Sequence, residues 1–154
     1  MRLILIAVGK VKVPWIREGC AVFLDRLKSF ASMGVREVSA SSSPDPAKQM
    51  KEETASLETA LTKCEDTTII LLDEKGKPSS STALATELGS ARDEGRTLVF
   101  VIGGAYGFSP DLRKTRRMMR LSDFTLTHEM ARLFLLEQLY RGSQILQGTG
   151  YHHG

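Results

Sequence analysis

The residue types able to do chemistry fall in a few stretches of this chain. Thr97 to Pro110 (TLVFVIGGAYGFSP) runs an apolar strand, Leu98 to Ile102, into a glycine-rich elbow at Gly103, Gly104 and Gly107. Glycine has no Cβ, so the backbone there can take positive φ and approach another group closely. A second stretch, Asp73-Glu74-Lys75-Gly76-Lys77-Pro78, places a carboxylate and two lysines directly after another apolar run. Arg113, Lys114, Arg116, Arg117 and Arg120 bring five cations together. On one continuous helix, Arg113, Arg116, Arg117 and Arg120 would share a face. That face suits either solvent or the phosphates of a nucleic acid. A lone histidine, His128, opens the last long apolar segment, and Tyr151-His152-His153 lie near the final residue. Those closing residues read equally as a frayed end or as a functional Tyr-His-His group.

The elements that must position these groups follow from periodicity. Leu3 to Val8 is a short, unbroken apolar run, as in a strand covered on both faces. Val13-Pro14 opens a helix with Ile16, Cys20, Phe23, Leu24, Leu27 and Phe30 on one side. Val35 to Ala40 is a weaker strand. Asp45-Pro46 caps a charged helix marked by Met50, Leu57, Leu61 and Cys64. Thr67 to Asp73 is a further strand, followed by the charged loop 73–78. Ser79 to Ser81 then cap a helix closed by Gly95. Ser109-Pro110 starts a helix after the elbow. Leu121 to Leu126 is a final strand or strand-like loop. Thr127 caps a helix from His128 to about Gly148 that leaves almost no purely polar face. The alternation of strands and helices predicts an α/β protein with a mostly parallel sheet flanked by helices, a single domain over 1–154. A final helix so apolar needs cover from several sides, and a second copy of the chain would supply it. Glu137 and Arg141 are spaced for an ion pair along that helix.

Composition narrows the classes. The chain has 154 residues, 42% hydrophobic and 25% charged, with a formal net charge of +3. That is enough chain for a core without staples. The charge permits an anionic partner without demanding one. The sequence holds no apolar run long enough for a bilayer, so no membrane association is expected. Cys20 and Cys64 are far apart at apolar helix positions, as reduced buried thiols of a cytoplasmic protein would be, and no metal site is expected. The elbow lacks the G-x-G-x-x-G placement of a dinucleotide fold and the Gly-Lys-Ser/Thr of a P-loop.

Taken together, TIILLDEKGK, TLVFVIGGAYGFS, LSDFTLTHEMARLFLLEQLYR and the closing YHH resemble one family over nearly the whole chain. It is the SPOUT-class methyltransferases that modify N3 of a pseudouridine in bacterial 23S ribosomal RNA. The resemblance implies a C-terminal deep trefoil knot, S-adenosyl-L-methionine as cofactor, and a homodimer paired through the knot region. It places cofactor contacts on Leu72, Gly103 and the segment Leu121, Ser122, Asp123, Phe124, Thr125 and Leu126, and Gly104 joins them as a glycine whose backbone can close on the cofactor. His128 is the implied catalytic candidate, with a structural hydrogen bond at the helix start as its alternative role. Tyr151 and His152 would cover the active site, His153 would meet the RNA, and Arg141 would either pair within the protein or meet an RNA phosphate. His153 stands where the family often has arginine or lysine, and unlike those it is not permanently charged near neutral pH. With no appended RNA-binding segment and so little charge, the expected substrate is the 23S RNA within assembled ribosomes. A knotted dimer that binds the cofactor or the ribosome without methylating is the alternative.

Overall fold

The computed structural model describes residues 1–64 and 67–153. Five parallel strands form one sheet in the order β2-β1-β4-β3-β5. They are β1 (Arg2–Val8), β2 (Ser32–Val38), β3 (Thr68–Pro78), β4 (Thr97–Ile102) and β5 (Arg117–Arg120). The helices are α1 (Pro14–Leu27), α2 (Pro46–Leu61), α3 (Ser81–Asp93), α4 (Pro110–Thr115) and α5 (His128–Leu146).

The three strands that read as unbroken apolar runs occupy the middle of the sheet, where both faces are covered. Alternate residues of β1 and β4 serve different cores. Leu3, Leu5, Leu98 and Phe100 pack with Ile16 and Leu27 of α1, Leu88 of α3 and Leu135, Leu136 and Leu139 of α5. Ile4, Ile6, Val99 and Val101 pack with Leu57 and Leu61 of α2, Phe108 and Leu112 on the other face. Thus α5 is covered by α1 and α3 within one chain. Gly19 and Gly142 permit this, because a Cβ at either would stand 2.9 Å from Leu133 Cδ1 or 2.8 Å from Leu88 Cδ1, respectively.

The expected caps are present. Asp45, Ser80, Ser109 and Thr127 each accept from a backbone N–H of the helix they precede, satisfying groups with no intrahelical partner. Cys20 and Cys64 are free and buried, and burial raises the Cys20 thiol above its usual range.

Three expectations need correction. The arginine cluster is not one helical face. The helix α4 ends at Thr115, Arg116 is extended, and Arg117 to Arg120 form β5 beside β3. Of the two readings of residues 121–126, loop rather than strand is the one observed. The stretch 73–78 is not a free loop but the continuation of β3, which shifts register between Leu72 and Lys77 before pairing with β5 again. Gly76 makes that return possible, since a Cβ there would lie 2.6 Å from the Met119 carbonyl carbon. Finally, β2 begins at Ser32 and ends at Val38. As an edge strand with half its residues exposed, it carries too little apolar signal to fix its ends.

Candidate functional site

The carboxyl end of β4 lies beside the point where β3 stops pairing with it and shifts register, with Leu72 opposite Ile102. Strand ends of this kind are where an open parallel sheet binds ligands. Above them lies a cavity of about 680 Å³, within the roughly 300–1,000 Å³ usual for small-molecule sites.

Its first wall is the elbow. Gly107 has φ of 70° and donates its N–H to the Gly104 carbonyl at 3.1 Å, closing a tight turn with Ala105 and Tyr106 at the tip. A Cβ at Gly103 would come within 3.1 Å of the Gly107 carbonyl, so glycine here keeps the turn closed. Beyond the turn, Phe108 is fully buried and the Ser109 N–H donates to Thr54 Oγ1 of α2 at 3.1 Å. Glu53, also on α2 and almost completely buried, presses its carboxylate against Gly104. Its Oε1 accepts from the Ser41 N–H and Gln49 Nε2, while Oε2 has no partner among the described residues.

The second wall is the loop from β5 to α5. Leu121, Ser122, Phe124, Thr125, Leu126, Thr127 and His128 all line the cavity, as do Leu72, Gly103 and Gly104. Phe124 is 85% exposed and stands at the rim. Asp123 does not line the cavity; it faces outward and pairs with Arg120 Nη2 at 3.0 Å. His128 is held in the first turn of α5, where Thr127 Oγ1 accepts from the Met130 N–H at 3.2 Å.

The first turn of α5 is itself anchored to the loop after β1. Glu129 Oε2 accepts from the N–H groups of Lys12 and Val13, each at 3.0 Å. Chiefly the bond from Val13 holds the Glu129 carboxyl below its ordinary value of 4.5. Arg132, 2% exposed, donates to the carbonyls of Val8 and Gly9 and pairs with Glu37 at 2.7 Å. Neither residue stood out in the sequence. Two charges one turn apart at the start of a largely apolar helix were the available signal.

The tail group gathers elsewhere. Tyr151 stacks edge-on against Tyr140 with ring centroids 4.9 Å apart, donates to Glu137 Oε1 at 3.3 Å, and lies under the Arg141 guanidinium. Burial, then the Glu137 charge, raises the Tyr151 phenol above its ordinary range. Glu137 and Arg141 form the ion pair their spacing predicts. His152 Nδ1 is buried with no partner among the described residues, and His153 is exposed. None of Arg141, Tyr151, His152 and His153 lines the cavity. Along α5, Arg141 lies about 20 Å from His128, from the rise per residue.

The lining suits a nucleoside-bearing cofactor, with apolar side chains for a base and two backbone-rich loops beside them for its polar edges. Among the described residues no group of three or more His, Cys, Asp or Glu is arranged to hold a metal ion. No described helix is long and apolar enough to cross a membrane.

Comparison with known proteins bears on this arrangement. A family model described as Predicted SPOUT methyltransferase matches residues 1–152. The chain is 40% identical over 154 residues to a protein of Pelobacter propionicus named Ribosomal RNA large subunit methyltransferase H, covering 99% of this chain and 100% of that one. Proteins of the same name from Geotalea daltonii and Ralstonia pickettii are 42% and 41% identical, each over 99% of this chain. A crystal structure described only as that of an hypothetical protein superposes with a TM-score of 0.58 at 15% identity, covering 94% of this chain and 68% of that one, and shares the fold alone. A match that runs from β1 through the elbow and α5 to the closing Tyr-His, at this level of identity, places the chain in the SPOUT methyltransferase family.

Proposed function

We propose that this enzyme transfers a methyl group from S-adenosyl-L-methionine to N3 of a pseudouridine in large-subunit (23S) ribosomal RNA, and that it acts on assembled ribosomes as a homodimer. The observation that carries the reading is the cavity formed where the glycine elbow meets the 121–128 loop, with His128 in its wall. The names of the relatives supply the RNA. A C-terminal trefoil knot belongs to the same reading.

When bound, S-adenosyl-L-methionine supplies a sulfonium methyl group, an electrophile that needs no further activation. The residues of the chain have three remaining tasks. Leu72, Ile102, Leu121 and Leu126 wall the cavity with apolar surface and keep water from the donor. The backbone of Gly103, Gly104 and Leu121 to Leu126 holds the cofactor, with Asp123 acting through its main chain because its side chain faces away. Alignment of donor and acceptor is worth a large part of such a barrier, roughly 7–11 kcal/mol at best. His128 takes the proton that leaves N3.

Tyr151 and His152 complete the site from the partner subunit, because within one chain Tyr151 packs on Tyr140 and Arg141, about 20 Å along α5 from His128. Arg141 and His153 then face RNA. The half-exposed side of α5 and the exposed Trp15 offer apolar surface for the second copy. With a net charge of +3, electrostatics alone gives weak grip on naked RNA, which favours the ribosome as substrate.

The test is incubation with tritiated S-adenosyl-L-methionine and ribosomes that lack the modification, followed by mapping of the label. Label on N3 of one pseudouridine is the expected result. Cofactor binding without label would favour a binding protein instead, and strong labelling of a short naked stem-loop would overturn the ribosome requirement.

A further inference from the structure

One polar wall of the cavity is left over by the contacts described above. Asp73 follows Leu72 in β3, lines the cavity, and has a side chain only 2% exposed. Each of its oxygens already has a partner in the chain. Oδ1 accepts from the Lys75 N–H at 2.9 Å, and Oδ2 accepts from Arg113 Nε at 2.8 Å. Asp73 therefore serves to hold Arg113.

Arg113 reaches the cavity from α4 and is 20% exposed. A guanidinium has five N–H groups, and Asp73 uses the one on Nε. Neither Nη nitrogen donates to a protein group among the described residues, and neither is buried. Nη2 packs over the elbow, where a Cβ on Gly107 would stand only 2.9 Å from it. Glycine at 107 thus serves twice, for its positive φ and for the room it leaves the guanidinium. Donors that are not buried need no partner inside the protein and stay open to solvent or a ligand. The pair with Asp73 fixes the fork at one end and leaves the other open. The second cavity-lining arginine, Arg120, gives Nη2 to Asp123 and keeps a buried Nε with no partner among the described residues; what sets Arg113 apart is its anchor, since Asp73 is 2% exposed and Asp123 85%.

We infer that Arg113, oriented by Asp73, is an oxyanion subsite of this cavity. Its Nη groups donate to a planar or tetrahedral oxyanion, in the geometry that suits bidentate recognition. Two sources carry that chemistry here: the carboxylate at the amino-acid end of the cofactor, and a phosphodiester of the RNA. Asp73 is a positioning residue and does not touch the ligand. The inference rests on the methyltransferase reading above.

The full chain and its Arg113→Gln, Arg113→Lys and Asp73→Asn variants would be titrated calorimetrically with S-adenosyl-L-methionine and with 5′-methylthioadenosine, which lacks the amino-acid end. The KM for ribosomes would be followed against salt in parallel. If the oxyanion is the carboxylate, Arg113→Gln weakens the first compound at least about tenfold, the scale of a charge-assisted hydrogen bond, and leaves the second unchanged. If it is a phosphate, both small molecules bind as before, KM rises, and the salt dependence falls by about one phosphate contact. In either case Asp73→Asn gives a smaller loss in the same arm, and Arg113→Lys recovers only part of it. Equal weakening of both compounds, or no change in either arm, would overturn the inference. Should Arg113→Gln fail to fold, Arg113→Lys is read against the same two arms. A wild-type protein that binds neither compound would instead sink the methyltransferase reading itself.

Discussion

Glu53 and Gly104 compete for one space. A Cβ on Gly104 would collide with the Glu53 carboxylate, its carbon standing 2.8 Å away, and Glu53 is 1% exposed with nowhere to swing. Because Glu53 belongs to α2 and Gly104 to the elbow, the contact sets how far the turn can sink toward the second core. Gly104→Ala is expected to destabilise the fold by about 1–3 kcal/mol, the usual scale of overpacking. It should also weaken cofactor binding. Glu53→Ala destabilises on its own, by stranding the Ser41 N–H, but should relieve part of the Gly104→Ala cost. A double-mutant cycle from urea denaturation measures that coupling; strict additivity would mean the two residues do not share the space.

His128 is the cavity residue best suited to accept a proton. His128→Ala should lower single-turnover methyl transfer by about 10²- to 10⁴-fold, the range for a lost general base. Cofactor affinity should change little, since the apolar walls remain. An unchanged single-turnover rate would reduce His128 to a helix-start residue.

The carboxyl of Glu129 has a pH signature. Its value in the folded protein lies below the ordinary 4.5, chiefly through the bond from the Val13 N–H. The unfolded chain therefore takes up the proton first as pH falls. The stabilisation is complete above about pH 5 and is lost as pH drops below 4.5 and through the folded value. Glu129→Gln keeps an acceptor for Lys12 and Val13 but has no charge to titrate. Its melting temperature should sit below that of the wild type at pH 7 and converge with it in acid. Parallel curves would rule out the assignment.

Arg132 ties the same helix to β1. Arg132→Met strands the Val8 and Gly9 carbonyls and frees Glu37, which is 35% exposed and can reach water. The expected loss lies below the roughly 3–5 kcal/mol of a fully buried broken pair, because Glu37 is not trapped. Denaturant midpoints would show it. Hydrogen exchange should quicken at the amides of Lys12 and Val13, since the loop they belong to loses its second tether.

The sequence made the centre of the fold easy to read and its edges hard. Runs such as Leu3–Val8 and Leu98–Ile102 admit one role in a small α/β protein, and Asp45, Ser109 and Thr127 announce helix starts through their own chemistry. Arg113 to Arg120 misled because a run of cations has no apolar period to separate helix from strand. Only pairing with β3 decides that Arg117–Arg120 is extended, and that pairing is a long-range fact. Residues 73–78 misled for the related reason that a bulged strand carries the composition of a loop. Leu72, Gly103 and the 121–126 segment apart from Asp123 line the cavity and were singled out through resemblance, whereas Glu53 and Arg132 behind its walls and Asp73 as an anchor were not. Each is a charged residue whose burial depends on partners outside its own element, and no local pattern encodes that.

The strand order has a consequence for the time course of synthesis. β1 leaves the ribosome first yet belongs near the middle of the sheet, with β2 on one side and β4 on the other. Once residue 38 has emerged one edge of β1 can be paired, but the other stays bare until Thr97–Ile102 are made. The most apolar strand of the protein therefore waits through roughly sixty residues of translation with an open edge, a template for wrong pairing. Those intervening residues include α2, whose Leu57 and Leu61 cover one face of β1 in the finished fold and can shield it in the meantime.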